Sequence, residues 1–345
     1  MTATTTTASP RARRGGRRAV GAIALVVAIL ALCFVSIGVG VVSIPPSETV
    51  ESFFSYDPTN THHLLAQLQR VPRTILAVVV GVCLGLAGAL MQALSRNPLA
   101  EPGILGVNAG AACAIAAGIA FLGVTNAWGY VWLGLVGAAV AGVIVIALGG
   151  ARRGASPVRL VLAGAAVTAV LMALSQLVLL NATSDVYDSY RTWMIGSLAG
   201  RDYHVLTAVA GLAVVGVALA ASLARSLDSA ALGEDAARAL GANPTRVWAV
   251  AGVSVILLAG SATATAGPIV FLGLAAPHVA RLLVGVSHRW LLTYSALIGA
   301  LLLIGADVLG RVVSPGHEIG VGIMVAIIGG PFFVWIVRGR TIRAL

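Results

Sequence analysis

The chain alternates long apolar runs with short polar segments, and this pattern predicts helices that cross a membrane. Ten charge-poor runs are present, at residues 19–44, 74–95, 103–122, 128–150, 160–180, 205–223, 247–267, 269–286, 291–309 and 320–337. A helix needs about 20 apolar residues to span a bilayer. The pattern therefore predicts an all-α polytopic membrane protein of about ten transmembrane helices. The division within 247–286 is the least marked, because only Gly267-Pro268 and Pro277 interrupt it, and helix boundaries there stay open.

The polar segments predict the domain organisation and the orientation. Residues 1–18 are Thr-rich and then basic, and are expected to form a disordered cytoplasmic tail before a single transmembrane domain over 19–345. The run at 19–44 exceeds the ~7–15 residues of a signal-peptide core and is expected to be an uncleaved first span. The polar residues 45–69 are expected to form an external loop. Even parity places both termini on one side, and 17 of the 22 arginines fall on that side, as the positive-inside rule expects of the cytoplasm.

Composition supports the membrane assignment and excludes several functions. Of the 345 residues, 59% are hydrophobic and 10% are charged, and the mean hydropathy is +0.97; a soluble domain is about one quarter charged. The net charge of +10 comes entirely from arginine. Without lysine the chain lacks the signature of a P-loop ATP site, and lysine Schiff-base chemistry is excluded. The arginines are spread along the chain, so the charge does not indicate nucleic-acid binding.

Candidate chemistry within the spans is sparse, and an enzyme is not favoured. The 12 acidic residues fall in predicted loops or near span ends. Asp307 is the deepest, but Arg311 lies four residues later on the same helical face, which favours a structural pair over an ion relay. The histidines are scattered and predict no metal site, and no H-E-x-x-H or G-x-S-x-G motif occurs. Cys33, Cys83 and Cys113 lie in apolar runs and are expected to be buried hydrophobes.

One internal polar segment, residues 226–246, carries an amphipathic pattern. Ser226-Leu227-Asp228 is expected to cap a short helix. Leu232, Ala236 and Leu240 then form an apolar stripe. Polar side chains cover the other side, and a glycine gives a stop signal: Glu234, Asp235, Arg238, Gly241. The pattern fits equally a helix lying on the membrane surface and a lever docked in the groove of a cytoplasmic partner.

An ordered set of motifs resembles the iron-siderophore/cobalamin (FecCD-type) permeases of ABC importers. It begins with RVPRTILAVVVGVCLGLAGALMQALSRNPLAEPGILGVNAGA (70–111). It continues with VLAGAAV (161–167), WMIGSLAG (193–200) and LGEDAARALG (232–241). It ends with GPIVFLGLAAPHVARLLVG (267–285), ADVLGR (306–311) and GIMVAIIGGPFFVWIV (322–337). One departure is Gly320, where members often carry Pro, and this leaves the start of the last helix open.

The resemblance implies a ten-helix permease of the cobalamin-importer type in the cytoplasmic membrane, working as a dimer with a second copy or a paralogue. Two cytoplasmic ATPase subunits would bind ATP and Mg, so this chain would hold no cofactor, and an extracytoplasmic lipoprotein would deliver the substrate. A ferric siderophore is the leading expectation, with heme and cobalamin open. The alternative class is an ion-coupled secondary transporter, which needs ion ligands near the bilayer midplane.

The resemblance also implies roles for individual residues. The ATPase-coupling residues would be Leu232, Gly233, Glu234, Ala236, Ala237, Arg238, Leu240 and Gly241. Arg70, Arg73 and Arg311 would pair with acidic residues of the binding protein; interfacial anchoring competes for the first two, and pairing with Asp307 for the third. A structural or translocation motif at broken helices would comprise Asn97, Pro98, Pro102, Gly103, Gly106, Gly267, Pro268, Pro277 and His278. A plain helix start explains Pro102 equally well.

Overall fold

A computed structural model describes residues 10–149, 157–231, 237, 239, 243–314 and 316–338. Their regular structure is helical. The first elements are α1 (Pro10–Gly38), α2 (Pro46–Phe54), α3 (Thr61–Leu65), a π-helical turn (Ala66–Arg70), α4 (Val71–Ser95), a 3-10 turn (Pro102–Leu105), α5 (Val107–Leu122) and α6 (Ala127–Leu148). They are followed by α7 (Pro157–Leu180), α8 (Ser184–Met194), α9 (Tyr203–Ser222), α10 (Ala224–Ala230), α11 (Pro244–Ala266), α12 (Leu272–Val284), α13 (His288–Val312) and α14 (Val321–Arg338).

The ten predicted apolar runs each coincide with one of these helices, which confirms the all-α membrane fold. Within the described ranges, seven helices are long and apolar enough to cross a membrane. Three apolar helices are shorter: α5, α12 and α14. The open division within 247–286 is resolved as two helices, α11 and α12, separated by the non-helical residues 267–271.

Helix α4 forms the centre of the bundle. It packs against α11, α12 and α13. In the most apolar 18-residue part of Thr61–Ser95, 78% is buried. Small residues on α4 permit this packing: a Cβ on Gly81 would lie 2.6 Å from the carbonyl oxygen of Gly299 in α13. Without a hydrophobic drive between helices in lipid, such close backbone approach supplies the packing energy. By contrast, only 11% of the corresponding 18-residue part of α7 is buried.

Three polar regions differ from the expectation. Helix α1 begins at Pro10, so residues 10–18 of the predicted disordered tail are helical; alanine and arginine are both good helix formers. The same helix ends at Gly38, six residues before the predicted end of the first span. The expected external loop at 45–69 contains α2 and α3, each started by a local signal: proline at the first position of α2 and the Asn60 side chain capping α3.

Candidate functional site

The structure brings the three predicted docking arginines together at one end of the bundle, the end that the arginine distribution predicts to face outside. Arg73 near the start of α4 donates from Nη2 to Asp307 Oδ1 (2.8 Å) and from Nε to both carboxylate oxygens (3.2 Å). Its Nη1 donates to Glu318 Oε2 at 2.5 Å. One guanidinium therefore joins α4, α13 and the segment that precedes α14 through charge-assisted bonds.

The predicted pair between Asp307 and Arg311 is confirmed, and it extends to the first helix. Arg311 Nη2 lies 2.8 Å from Asp307 Oδ2. Arg311 Nη1 donates to the carbonyl oxygens of Ser36 (2.7 Å) and Val39 (2.8 Å), and Nη2 donates to Ser36 Oγ. The arginine thus satisfies carbonyl groups that the end of α1 leaves without an intrahelical donor.

Arg70 occupies the last position of the π-helical turn and binds the chain that leaves α1. It donates to the carbonyl oxygens of Val39 and Val42, the latter at 2.9 Å. The early end of α1 is what allows this contact, because residues 39–45 are outside the helix and the carbonyl groups of Val39 and Val42 are free to accept from Arg70. The three arginines and their two carboxylates are hereafter the outer ion cluster (Arg70, Arg73, Asp307, Arg311, Glu318).

The outer ion cluster is mostly inaccessible from outside. Arg70, Arg73 and Arg311 are 5%, 8% and 4% exposed, and the Asp307 side chain is 2% exposed. The side chain of Glu318 is 27% exposed. Docking of a partner through these arginines stays a prediction, but any such contact has to approach from the Glu318 side.

The motif residues at the first break form the connection between α4 and α5. Arg96 ends α4 with φ 49°, and the Asn97 side chain accepts a hydrogen bond from the backbone of Leu99 at 2.9 Å. After Pro98, the 3-10 turn contains Pro102 and Gly103 and ends at Gly106, whose φ of 70° starts α5. Pro102 is at the first helical position of its turn, as the simpler interpretation expected.

The motif residues at the second break, between α11 and α12, lie beside those at the first break. A Cβ on Gly273 in the first turn of α12 would lie 2.7 Å from Pro102 Cδ. Gly267 follows the last residue of α11 and has a φ of 78°. Pro268 comes next, in the non-helical connection to α12. Two stretches separated by more than 160 residues are therefore packed together; their role in transport stays a prediction.

Glu101 is a residue of this junction that the sequence reasoning missed. Its carboxylate accepts a hydrogen bond from the backbone N–H of Phe271, the N-cap residue of α12. Phe271 has a φ of 67°, an uncommon conformation for a bulky residue. The available signal was an acidic residue directly before Pro102 between two apolar runs; its partner, 170 residues later, had no local signal.

A glycine-lined contact holds the second break to the start of α14. Ser197 donates its backbone N–H to Ala266 (2.7 Å), and Gly322 donates to the carbonyl oxygen of Gly196 (3.2 Å). A Cβ on Gly320 would lie 2.6 Å from Ile195 Cγ2 and 2.7 Å from the carbonyl oxygen of Gly196. This crowding gives a physical reason for glycine at the position where the sequence departs from the family pattern.

The remaining motif residues lie within α12. Pro277 is buried inside the helix. The ring of His278 packs edge-on against Phe332 of α14, with centroids 6.2 Å apart. The described residues contain no group of three or more His, Cys, Asp or Glu side chains arranged to hold a metal ion.

Most of the predicted coupling residues lie outside the described residues: Leu232, Gly233, Glu234, Ala236, Arg238, Leu240 and Gly241. Ala237 and Ala239 are described and are helical, the first buried and the second exposed. The expectation that Ser226-Leu227-Asp228 caps a helix was wrong, because these residues lie within α10. Asp228 Oδ1 instead accepts hydrogen bonds from the backbone N–H and the ring of His288, both at 2.8 Å, and so ties α10 to the start of α13.

Comparisons with known proteins agree on one family. The profile of the FecCD transport family matches residues 28–339. The chain is 43% identical over 326 residues to the ferric enterobactin transport system permease protein FepD of Escherichia coli (strain K12), covering 94% of this chain and 96% of FepD. It is 38% identical over 326 residues to the iron(3+)-hydroxamate import system permease protein FhuB of Bacillus subtilis (strain 168), covering 93% and 84%. A solved structure described as a metal-chelate type ABC transporter in an inward-facing conformation superposes with a TM-score of 0.79 at 27% identity, covering 92% and 98%.

Proposed function

Because the chain belongs to the FecCD transport family, we propose that it is the membrane-spanning subunit that carries a ferric siderophore through an ATP-binding-cassette importer. The observation that carries the proposal is the match over nearly the whole length of FepD and FhuB, whose names specify ferric enterobactin and iron(3+)-hydroxamate. Both are ferric chelates. The chain lies in the cytoplasmic membrane, and its family is one of transport permeases.

In this proposal, a partner subunit supplies the energy for transport. The sequence has no lysine and hence no P-loop, so two ATPase subunits are proposed to bind ATP and Mg on the cytoplasmic side. Their contact is proposed to be residues 232–241. Within this segment Ala237 is buried and Ala239 is exposed. That difference favours an arrangement with Ala237 toward the permease and Ala239 toward the ATPase.

The coupling proposal is tested by Leu232→Asp or Gly233→Asp. A charge in the ATPase contact should abolish uptake while the variant still inserts and still assembles as a membrane protein. Ser55→Asp is a matched control, because it places the same charge at an exposed position on the outer side. Normal uptake by Leu232→Asp would contradict the role of this segment.

A second permease copy or a paralogue is proposed to pack along α7. This helix is the least covered long helix in the described structure. One of its uncovered flanks carries small and polar side chains in place of large aliphatic ones: Ala165, Ala169, Ala173, Gln176. Small residues favour helix association in lipid, whereas large aliphatic residues suit contact with acyl chains.

The overall function is tested by reconstitution. The permease, its ATPase and a ferric-siderophore-loaded binding protein are placed in liposomes, and uptake of radioactive iron is measured. We expect uptake that requires ATP and is unaffected by an ionophore. Uptake that collapses with the ionophore, and persists without the ATPase, would instead indicate an ion-coupled secondary transporter.

A further inference from the structure

Arg73 divides its hydrogen bonds between a buried and a partly exposed carboxylate. Its Nε and Nη2 face Asp307, whose side chain is 2% exposed. Its Nη1 faces Glu318, whose side chain is 27% exposed. Glu318 is therefore the group that stands between the Arg73 guanidinium and the outside.

Glu318 lies on the connection between α13 and α14, and among the described residues its carboxylate is hydrogen-bonded to Arg73 alone. It belongs to residues 313–320, which join α13 to α14. The backbone of Ile319 donates to the carbonyl oxygen of Gly310 at 3.0 Å, so the segment is held next to the end of α13. Two residues after Glu318 comes Gly320, which packs against Ile195 and Gly196.

The outer ion cluster contains more arginines than carboxylates. Three guanidinium groups (Arg70, Arg73, Arg311) face two carboxylates (Asp307, Glu318). The cluster therefore carries one excess positive charge. A buried charge left unpaired is costly, so an incoming carboxylate is stabilised here, and Arg73 must not lose one partner before it gains another.

We propose that Glu318 occupies, in the undocked permease, the place that an acidic side chain of the substrate-binding protein takes on docking. The incoming carboxylate replaces Glu318 at Arg73 Nη1, and Asp307 keeps its two contacts throughout. Arg73 thus stays paired while Glu318 and residues 313–320 are released. This inference rests on the proposed function, because it needs a binding protein that docks on the outer face.

The release of Glu318 connects docking to the helix that follows. Residues 313–320 lead directly into α14, and their last residue touches the loop at 195–196, which also contacts the second break. Docking at Arg73 therefore changes the restraint on the start of α14. The partner presents an acidic surface to the permease. It is recognised because one of its carboxylates replaces the Glu318 carboxylate at Arg73.

The experiment compares Glu318→Gln with the wild-type permease in complex with its ATPase. The probe is the binding protein encoded beside the permease and ATPase genes, loaded with ferric siderophore, and its affinity is measured at low and high salt. Partly exposed ion pairs are worth about 0.2–1 kcal/mol, so removing the competitor should tighten binding by about 1.4- to fivefold. Glu51→Gln, an exposed outer position, is the control and should leave affinity unchanged.

A second measurement does not depend on any variant folding. In the wild-type complex, amide hydrogen exchange in residues 313–320 should increase when the loaded binding protein is added. An unchanged or weaker affinity in Glu318→Gln, or exchange that slows in this segment, would overturn the exchange of carboxylates. If the wild-type complex neither binds the probe nor transports, the proposed function itself fails, so the two failures are distinguishable.

Discussion

The backbone N–H of Phe271 donates a hydrogen bond to the carboxylate of Glu101, and this bond joins the two breaks in the helix bundle. Glu101 is the N-cap of the 3-10 turn that leads into α5, and Phe271 is the N-cap of α12. A carboxylate at the start of a helix satisfies a free N–H group and complements the positive end of the helix dipole. Two short helices from opposite halves of the chain are thus held at one point.

Replacement of Glu101 should loosen this junction. Glu101→Ala removes the acceptor and should lower the free energy of unfolding by about 0.5–2 kcal/mol, the usual cost of a lost N-terminal cap. Glu101→Gln keeps an acceptor oxygen and should lose less. The melting temperature of the purified permease in detergent measures the effect, with Glu51→Ala as an exposed control. Equal melting temperatures for all three variants would show that Glu101 does not stabilise the junction.

Two glycines in helices should respond oppositely to the same substitution. A Cβ on Gly88 of α4 would overlap the carbonyl oxygen of Gly273, whereas a Cβ on Gly330 of α14 meets nothing within 4 Å. Gly88→Ala should destabilise the protein by about 1–3 kcal/mol through overpacking. Gly330→Ala should be neutral or stabilising by up to about 1 kcal/mol, because alanine favours a helix. Thermal unfolding of the two variants side by side tests this difference.

Asp307 should be a structural centre of the outer ion cluster. Asp307→Asn removes the charge that pairs with both Arg73 and Arg311, and breaking a buried ion pair costs about 3–5 kcal/mol. We expect reduced yield and a lower melting temperature even without a binding protein present. Asp185→Asn on α8 is exposed and should have no effect. A normal melting temperature for Asp307→Asn would show that the cluster contributes little to stability.

The outer segment that contains α2 and α3 should loosen in acid. A hydrogen bond from the Asn60 side chain, followed by the nearby His62 and His63, holds the pKa of Glu48 below its usual range. The stabilisation from a lowered carboxyl pKa is present above the ordinary value of about 4.3 and is lost as pH falls through the lowered value. Hydrogen exchange over residues 46–65 should therefore rise at about pH 4 and below. In Glu48→Gln this acid-dependent rise should be reduced, and an identical pH profile would contradict the assignment.

Local patterns predicted most of the fold and one contact of the outer cluster. The ten apolar runs gave the helices, Gly267-Pro268 gave the break after α11, and the spacing of four residues gave the pair of Asp307 and Arg311. These features depend on residues that are neighbours in the chain, so periodicity and spacing contain the necessary information.

Contacts between distant segments were not predictable in the same way. Arg73 and Asp307 are 234 residues apart, and their contact depends on how closely α4 and α13 pack through small residues. The burial of Arg70 depends on α1 ending at Gly38, where the apolar run itself continues to residue 44. No pattern in one sequence records which carbonyl groups will face an arginine.

The shortness of α12 has a consequence for biogenesis. Its 13 residues span about 20 Å, against about 30 Å of hydrocarbon. A segment of this length does not partition from the translocon into lipid alone, since its ends would expose unsatisfied backbone groups. In the described structure α12 packs mainly on α4 and α13, so its stable insertion is expected to wait until α13 has also entered the membrane.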